Sequence, residues 1–212
     1  MSKWRYHDVA CPFCGRETKW KLWDYIYIGD EPAMKAAVRD HSAFYFRCSH
    51  CEKETYLHYS FLYQEDETKL LIYVCPDGSD YGEMQKKMTS KASFLYRDYE
   101  RRIVLSYNDF LEKLLIADAG LDDRVIEIIK ALLWQQLLTN YPKQNIEEIR
   151  FMTNQSGWEG FIVKTAEAKE ATADLNETVY NGLTAVLRRN KPEDALIIDR
   201  AWAYRFAKRL HH

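Results

Sequence analysis

Cys11-Pro-Phe-Cys14-Gly-Arg16 and Cys48-Ser-His-Cys51-Glu-Lys53 are the two stretches of this 212-residue chain on which its fold turns. Each places two sulfurs about one tight turn apart, so that both can face the same point. In such a turn Pro12 presets φ, the N–H groups after the first cysteine can donate to its sulfur, and Gly15 can leave with φ > 0. The second stretch has Ser49 and Glu52 where the first has Pro12 and Gly15. A left-handed Glu52 would carry strain on the order of 1 kcal/mol. If the two turns meet, Cys11, Cys14, Cys48 and Cys51 surround one ion at about 2.3 Å, the tetrahedral arrangement of a structural Zn2+. Such a site has no open position, which argues against metal-assisted catalysis. One structural zinc per chain is the expectation.

The 33 residues from Gly15 to Arg47 must bring the second turn back beside the first. Residues 17–28, rich in aromatic and β-branched side chains and ending at Gly29-Asp30, read as a strand. Glu31 to Val38 reads as a short helix with Asp30 as N-cap and Pro32 near its first position. Ala43 to Arg47 returns as a strand. Thr55 to Tyr63 and Lys69 to Val74 flank a polar turn and read as a hairpin. Residues 1–75 are therefore expected to be mainly β and zinc-ribbon-like with a short inserted helix.

A helical pair follows the turn-rich Pro76 to Gly82. Its first member starts near Asn108, carries Phe110, Leu111, Leu114 and Leu115, and stops at Gly120, which suits a left-handed C-terminal position. The second runs from Asp122 to just before Pro142. Its apolar set, Val125, Ile126, Ile128, Ile129, Leu132, Leu133, Leu137 and Leu138, is wide enough to need a second contact, so a homodimer through residues 122–140 is expected. Ile146–Met152 and Trp158–Lys164 then read as a hairpin, followed by helices over roughly Ala173–Arg189 and Pro192–Leu210. The class is α+β. The polar link Asn140 to Asn145 is the expected boundary between a zinc-binding domain, 1–140, and a C-terminal α+β region, 146–212.

Cys11-Pro-Phe-Cys14, Asp30-Glu-Pro-Ala-Met-Lys35, Cys48-Ser-His-Cys51 and Asp122-Asp-Arg-Val-Ile-Glu-Ile-Ile-Lys130 together resemble the bacterial and archaeal CpXC-domain proteins over about residues 9 to 140. The resemblance implies metal binding by the four cysteines and no established activity. The chain departs from the family pattern at Ser49 and Glu52.

Other chemistry fits these residues less well. A thioredoxin-like dithiol needs a helix after its C-x-x-C, whereas a β-type run follows Cys14. His50 or His58 could replace a thiolate, but four cysteines suffice. Cys75 reads as a buried strand-end residue, with no Ser-His-Asp arrangement beside it. Asp122, Asp123, Arg124, Glu127 and Lys130 read as ordinary helix-start acids and local charge pairs. Tyr96, Arg97, Tyr99, Arg101 and Arg102 form an aromatic-basic cluster, and Arg188, Arg189, Lys191, Arg200, Arg205, Lys208 and Arg209 a basic C-terminal set; solvated helix faces are the simpler account of both.

Net charge is -2 and pI near 6.3, so the chain has no global positive field. Its N-terminus lacks a signal-like apolar stretch, and no apolar run is long enough to span a membrane. With four of five cysteines in C-x-x-C pairs, the cytoplasm is the expected compartment. The sum is a zinc-stabilised interaction or scaffold module with an unidentified protein partner and no visible enzyme constellation. Two alternatives stay open: a nucleic-acid-associated zinc ribbon and a redox-responsive zinc switch.

Overall fold

Both cysteine turns are the tips of antiparallel hairpins. In the computed structural model, which describes residues 1–89, 96–154, 156–192 and 194–210, Lys3–Ala10 (β1) pairs with Glu17–Tyr27 (β2), the ladder closing at Ala10 and Glu17. Tyr45–Arg47 (β3) pairs with Glu54–Tyr56 (β4), closing at Arg47 and Glu54. Each tip therefore holds a six-residue loop, 11–16 in one and 48–53 in the other.

The β3–β4 hairpin is carried by the crossover between two parallel strands, β2 and Phe61–Glu65 (β5). That crossover also contains a short helix, Met34–Arg39 (α1), and a 3-10 turn at Ser42–Phe44. Antiparallel Leu70–Val74 (β6) and parallel Glu100–Val104 (β7) complete a five-stranded sheet of order β1-β2-β5-β6-β7. The short Tyr81–Thr89 helix (α2) lies between β6 and β7 in the chain.

β6 is buried along its whole length, as a central strand covered on both faces should be. Beside it Phe61 stacks on Phe44 at 5.0 Å between ring centroids, and Phe110 meets Phe61 and Tyr63 edge-on at 5.4 and 5.3 Å. Glu65, at the end of β5 and 1 % exposed, is held by Lys35 Nζ at 2.6 Å, Arg39 Nη2 at 3.0 Å and the Tyr63 hydroxyl at 2.6 Å. Burial works against its charge, but these donors prevail and hold the carboxyl below the usual carboxylate range. A depressed folded value gives stability that is present above the unfolded pKa and lost as pH falls through the folded one. Glu65→Gln is therefore expected to cost about 2 kcal/mol at neutral pH. Urea unfolding at pH 7 and pH 3 should show the difference from wild type shrinking at the lower pH.

Several expectations change here. Asp30 does not cap the first helix. The chain turns through residues 30–33, with Asp30 and Glu31 N–H both donating to the Tyr27 carbonyl at 3.1 Å, and the N-cap is Ala33. Asp30 instead accepts the Ser2 N–H at 2.8 Å and lies 3.2 Å from the terminal amine. The strand expected over Thr55–Tyr63 is two strands in different sheets. Between them His58 stacks on Tyr107 and the Tyr59 N–H donates to the Tyr107 hydroxyl at 3.3 Å, which carries the chain from the small sheet to the large one.

The chain forms two compact units, Met1–Leu111 and Glu112–His212. The division falls inside the first helix of the helical pair, ahead of the Asn140–Asn145 link. Tyr107–Asp118 (α3) starts with the Ser106 hydroxyl accepting the Asp109 N–H and ends as expected at Gly120, φ +68. There the Leu121 N–H reaches the Ile116 carbonyl and the Gly120 N–H the Ala117 carbonyl, both at 3.0 Å. Asp122 caps Asp123–Asn140 (α4) by accepting the Arg124 N–H.

The two apolar sides of α4 are both used inside the second unit. Val125, Ile128 and Ala131 pack with Leu187, Ile198, Trp202, Ala203 and Phe206. Ile126, with Ile129, Leu133 and Leu137, packs with Ile146, Ile149, Phe151, Phe161 and Val163. Much of the apolar circumference is thus covered by the chain's own elements, while Leu132 and Leu138 stay exposed.

Those elements are an antiparallel sheet of Ile146–Thr153 (β8), Glu159–Thr165 (β9) and Glu170–Asp174 (β10), and helices Glu177–Asn190 (α5) and Arg200–Arg209 (α6). Ala173, expected to open a helix, belongs to β10, and α5 begins only after Asn176, whose side chain accepts the Val179 N–H. Pro192 and residues 194–199 are not helical; Asp199 caps α6 instead. Position 155, in the link between the two strands of the expected hairpin, and His211-His212 lie outside the described residues.

Asp123, Glu127 and Lys130 are not a solvated face. They join Glu112, Lys113 and Arg150 in a largely buried charge network. No helix is long and apolar enough to cross a membrane among the described residues.

Candidate metal centre

The two hairpin tips match each other atom for atom in backbone bonding. Cys11 N–H donates to the Arg16 carbonyl and Cys48 N–H to the Lys53 carbonyl, each at 3.0 Å. Gly15 N–H returns to the Cys11 carbonyl at 2.9 Å and Glu52 N–H to the Cys48 carbonyl at 3.0 Å. Phe13 N–H points at Cys11 Sγ and His50 N–H at Cys48 Sγ, both at 3.4 Å. Ser49 does not prevent the tight turn: the backbone bonds of its tip match those of the Pro12 tip.

Gly15 leaves its turn at φ +71 and Glu52 leaves the other at φ +57, both left-handed. Glycine adopts that conformation freely; glutamate does not. Glu52→Gly should therefore leave stability unchanged or raise it by up to about 1 kcal/mol, while Gly15→Ala should lower it by about the same amount. Chemical denaturation of the two metal-loaded variants checks the opposite signs.

Facing each other, the tips bring four sulfurs together. Cys11 Sγ lies 3.7 Å from Cys51 Sγ, and Cys14 Sγ 3.7 Å from Cys48 Sγ. All four lie within 4.8 Å of one another. A tetrahedron of sulfurs at about 2.3 Å from a central ion has edges of about 3.8 Å, whereas a disulfide needs about 2.05 Å. The spacing fits a shared cation and excludes a bond between these sulfurs as they stand.

Cys11 and Cys48 are buried, Cys51 half-buried and Cys14 exposed. A small core of Cys11, Phe46 and Cys48, flanked by Val9, Trp20 and Leu57, packs behind the sulfurs. In it Trp20 meets Phe46 edge-on at 5.2 Å. Thr18, on the inward side of β2, places its hydroxyl 3.8 Å from Cys48 Sγ and 3.2 Å from the Ser49 hydroxyl. Sequence reading missed Thr18 as a neighbour of the sulfurs; the signal was its β2 position opposite the apolar Val9, on the same face.

Electrostatics point the same way as the spacing. Burial opposes ionisation of Cys48, but the N–H groups of Cys51 and His50, the Cys51 thiol and the Thr18 hydroxyl bring it down to about 6. The Lys53 N–H favours the Cys51 thiolate, yet burial and its crowding by Cys11, Cys48 and Cys14 push Cys51 up to about 12. Charge is easily placed on the first of these two sulfurs and hard to add to the second. A cation between them removes that opposition. The residues present fit a metal ion.

A model of the CpXC protein family matches residues 9–130, more than half of the chain. The chain belongs to the CpXC family. The CpXC segment contains both cysteine tips and runs through α3 to the middle of α4, so the family pattern crosses from the first compact unit into the second. Comparisons with curated proteins and with solved structures give no match.

The remaining sequence candidates are placed elsewhere. His50 is exposed, with Nε2 3.2 Å from the Glu17 carbonyl, and His58 stacks on Tyr107 at 5.0 Å; neither is among the grouped sulfur ligands. Cys75, buried at the end of β6, sits with Asp77 and Asp80 in a second grouping of possible ligands. There the Cys75 thiol donates to Asp80 Oδ1 at 2.7 Å, the Tyr73 hydroxyl donates to the other Asp80 oxygen, and Asp77 accepts the Ser79 N–H and hydroxyl. Burial, then the Asp80 bond, raise the Cys75 thiol above its usual value, which disfavours the thiolate. Arg101 and Arg102 bond to backbone carbonyls of the chain itself: Arg101 Nη1 donates to the Met88 carbonyl, and Arg102 is 5 % exposed and donates to the Arg101 carbonyl, each at 2.8 Å.

Proposed function

We propose that the CpXC protein binds one Zn2+ through Cys11, Cys14, Cys48 and Cys51, and that this ion serves to fasten the two hairpin tips of a non-catalytic interaction module in the cytoplasm. The observation that carries the proposal is the closed grouping of four sulfurs, all within 4.8 Å, on two matching tips. Zinc supplies the positive charge that lets all four thiolates form together, with no coordination position left for substrate. The tips are short, and the core behind them is small. Without a central link little would hold β3–β4 against β1–β2, so a zinc-ribbon-like clasp is the function the arrangement supports. The module's role is then to present a surface to a protein partner.

Metal analysis of the purified protein by mass spectrometry tests this directly: about one zinc per chain is expected, with the thiols shielded from a thiol reagent until a chelator is added. Well under one zinc, or another metal at full occupancy, would overturn it. Identification of co-purifying proteins from the same preparation tests the partner.

The exposure of Cys14 favours one further role for the same site, a redox-responsive clasp. An exposed thiolate is the point at which a peroxide would oxidise the site. Zinc release under mild peroxide, followed with a chromogenic chelator, supports that role; full retention argues against it.

A further inference from the structure

Helices α5 and α6, outside the CpXC segment, both end in basic side chains: Arg188 and Arg189 with Lys191 just beyond, and Lys208 and Arg209. Leu187, next to Arg188 near the end of α5, shares one core cluster with Trp202, Ala203 and Phe206 of α6, so both helices pack into the same core of the second unit. Cations in a last helical turn complement the helix dipole, and that accounts for part of the pattern. Two observations go beyond it.

First, Arg188, Arg189, Lys191, Arg205 and Lys208 are exposed and make no ion pair among the described residues. By contrast, the exposed Arg5, Lys69, Lys87 and Lys164 each face a carboxylate at 2.7, 3.2, 2.5 and 3.3 Å. Second, α6 carries no acidic residue, and its outer face is organised. With Trp202, Ala203 and Phe206 buried, helical spacing puts Arg200, Tyr204 and Lys208 in one outward row, with Arg205 beside it. Arg200 lies over the Trp134 ring at 3.7 Å, and Tyr204 is 43 % exposed amid these cations.

Unpaired cations around an exposed ring match a phosphate backbone with a base available for stacking. An anionic membrane fits less well, because the apolar side chains α6 would insert are already packed in the core. We propose that the α5–α6 surface binds single-stranded nucleic acid, with Arg188, Arg189, Lys191, Arg205 and Lys208 on phosphates and Tyr204 against a base.

Fluorescence anisotropy of the full chain with a labelled oligothymidylate of about 20 nucleotides, longer than common single-strand site sizes, tests this. Five phosphate contacts at about 0.7 each predict a log–log salt slope near -3.5, a loss of about 100-fold between 50 and 200 mM salt. Arg205→Ala/Lys208→Ala should reduce the slope by about 1.4. Tyr204→Ala should weaken binding about tenfold and leave the slope unchanged. Arg188→Ala/Arg189→Ala is held to the same slope criterion, so a variant of α6 that melts early does not decide the matter. Absence of binding at 50 mM salt, salt-insensitive binding, or full binding by both double variants overturns the proposal. So does binding to phosphatidylserine vesicles that the oligonucleotide does not compete.

Discussion

Cys48→Ser is expected to strip the metal from the protein and to loosen both hairpin tips while the large sheet stays folded. Cys48 is buried in the small core with Cys11 and Phe46, and its sulfur receives the His50 N–H and the Thr18 hydroxyl. Losing an outer-shell partner of a metal site already costs 10- to 100-fold in affinity, so loss of a buried ligand should cost on the order of 100-fold or more. Metal analysis after gel filtration should find zinc far below one per chain. Hydrogen exchange should then quicken over residues 9–20 and 44–57, with β5 and β6 still protected, because Phe61, Tyr63 and Ile72 are packed independently of the sulfurs. Cys14→Ser should be milder. Cys14 is exposed, so water can take the vacated position of a three-thiolate site. Equal metal content in Cys48→Ser and wild type would sink the clasp; equal loss in the two variants would show that the burial of Cys48 adds nothing.

The different depths of the two cysteines could not be read from the chain. What was legible is what short spacing controls. A C-x-x-C turn fixes its own backbone bonds within six residues, which is why both tips could be anticipated and a left-handed Glu52 could be raised as the case in which the second is strained. The Gly120 stop and the Asp122 cap are equally local. Strand β1 was missed for the opposite reason: seven of its eight residues are exposed, so no apolar face imposes alternation on Lys3 to Ala10. β10, exposed over Glu170 to Asp174 save Ala173, left no signal either. The break between β4 and β5 depends on Tyr107, some fifty residues away, and no local pattern could announce it. Likewise the broad apolar face of α4 was visible, but the elements that cover it, among them α6 and β8, lie beyond it in the chain.

The charges along α4 carry the deepest difference, and their disruption should have the largest effect on the second unit. Glu112 is 3 % exposed. Its two oxygens accept from Lys130 Nζ at 2.9 Å each, and Oε1 also accepts the Phe151 N–H at 2.6 Å. Lys130 reaches Glu127 at 2.9 Å, while Lys113 spans Asp123 at 2.8 Å, Glu127 at 3.7 Å and the Ile198 carbonyl at 2.9 Å. From sequence alone only the pairs within α4 were visible, and such pairs are worth a few tenths of a kcal/mol on a solvated helix. Burial changes the scale. Burial pulls the Lys130 ammonium down, but Glu127 and Glu112 outweigh it and hold it above its usual value; burial raises Glu127 above the usual carboxylate range.

For Lys130 the sign is that of a raised base: its contribution is complete below the unfolded value and lost as pH rises through the folded one. Glu127 acts oppositely to a depressed acid, its contribution falling as pH climbs from the unfolded value towards the folded one. Glu112→Ala removes both of its charge-assisted bonds to Lys130 and leaves the Phe151 N–H without its acceptor. Removing one partner of a buried pair typically costs about 3–5 kcal/mol, enough to lower the melting temperature of a unit of this size by roughly 15 °C or more. Lys130→Met alone should be comparably severe. The double variant Glu112→Met/Lys130→Met should cost less than the sum of the two single changes, by about 1–3 kcal/mol, because neither charge is then left unpaired. It should still fall short of wild type, since nothing in the pair of methionines replaces the acceptor for Phe151. Additive losses in thermal or urea unfolding would mean that the network is solvated in solution, and that α4 is held by its apolar sides alone.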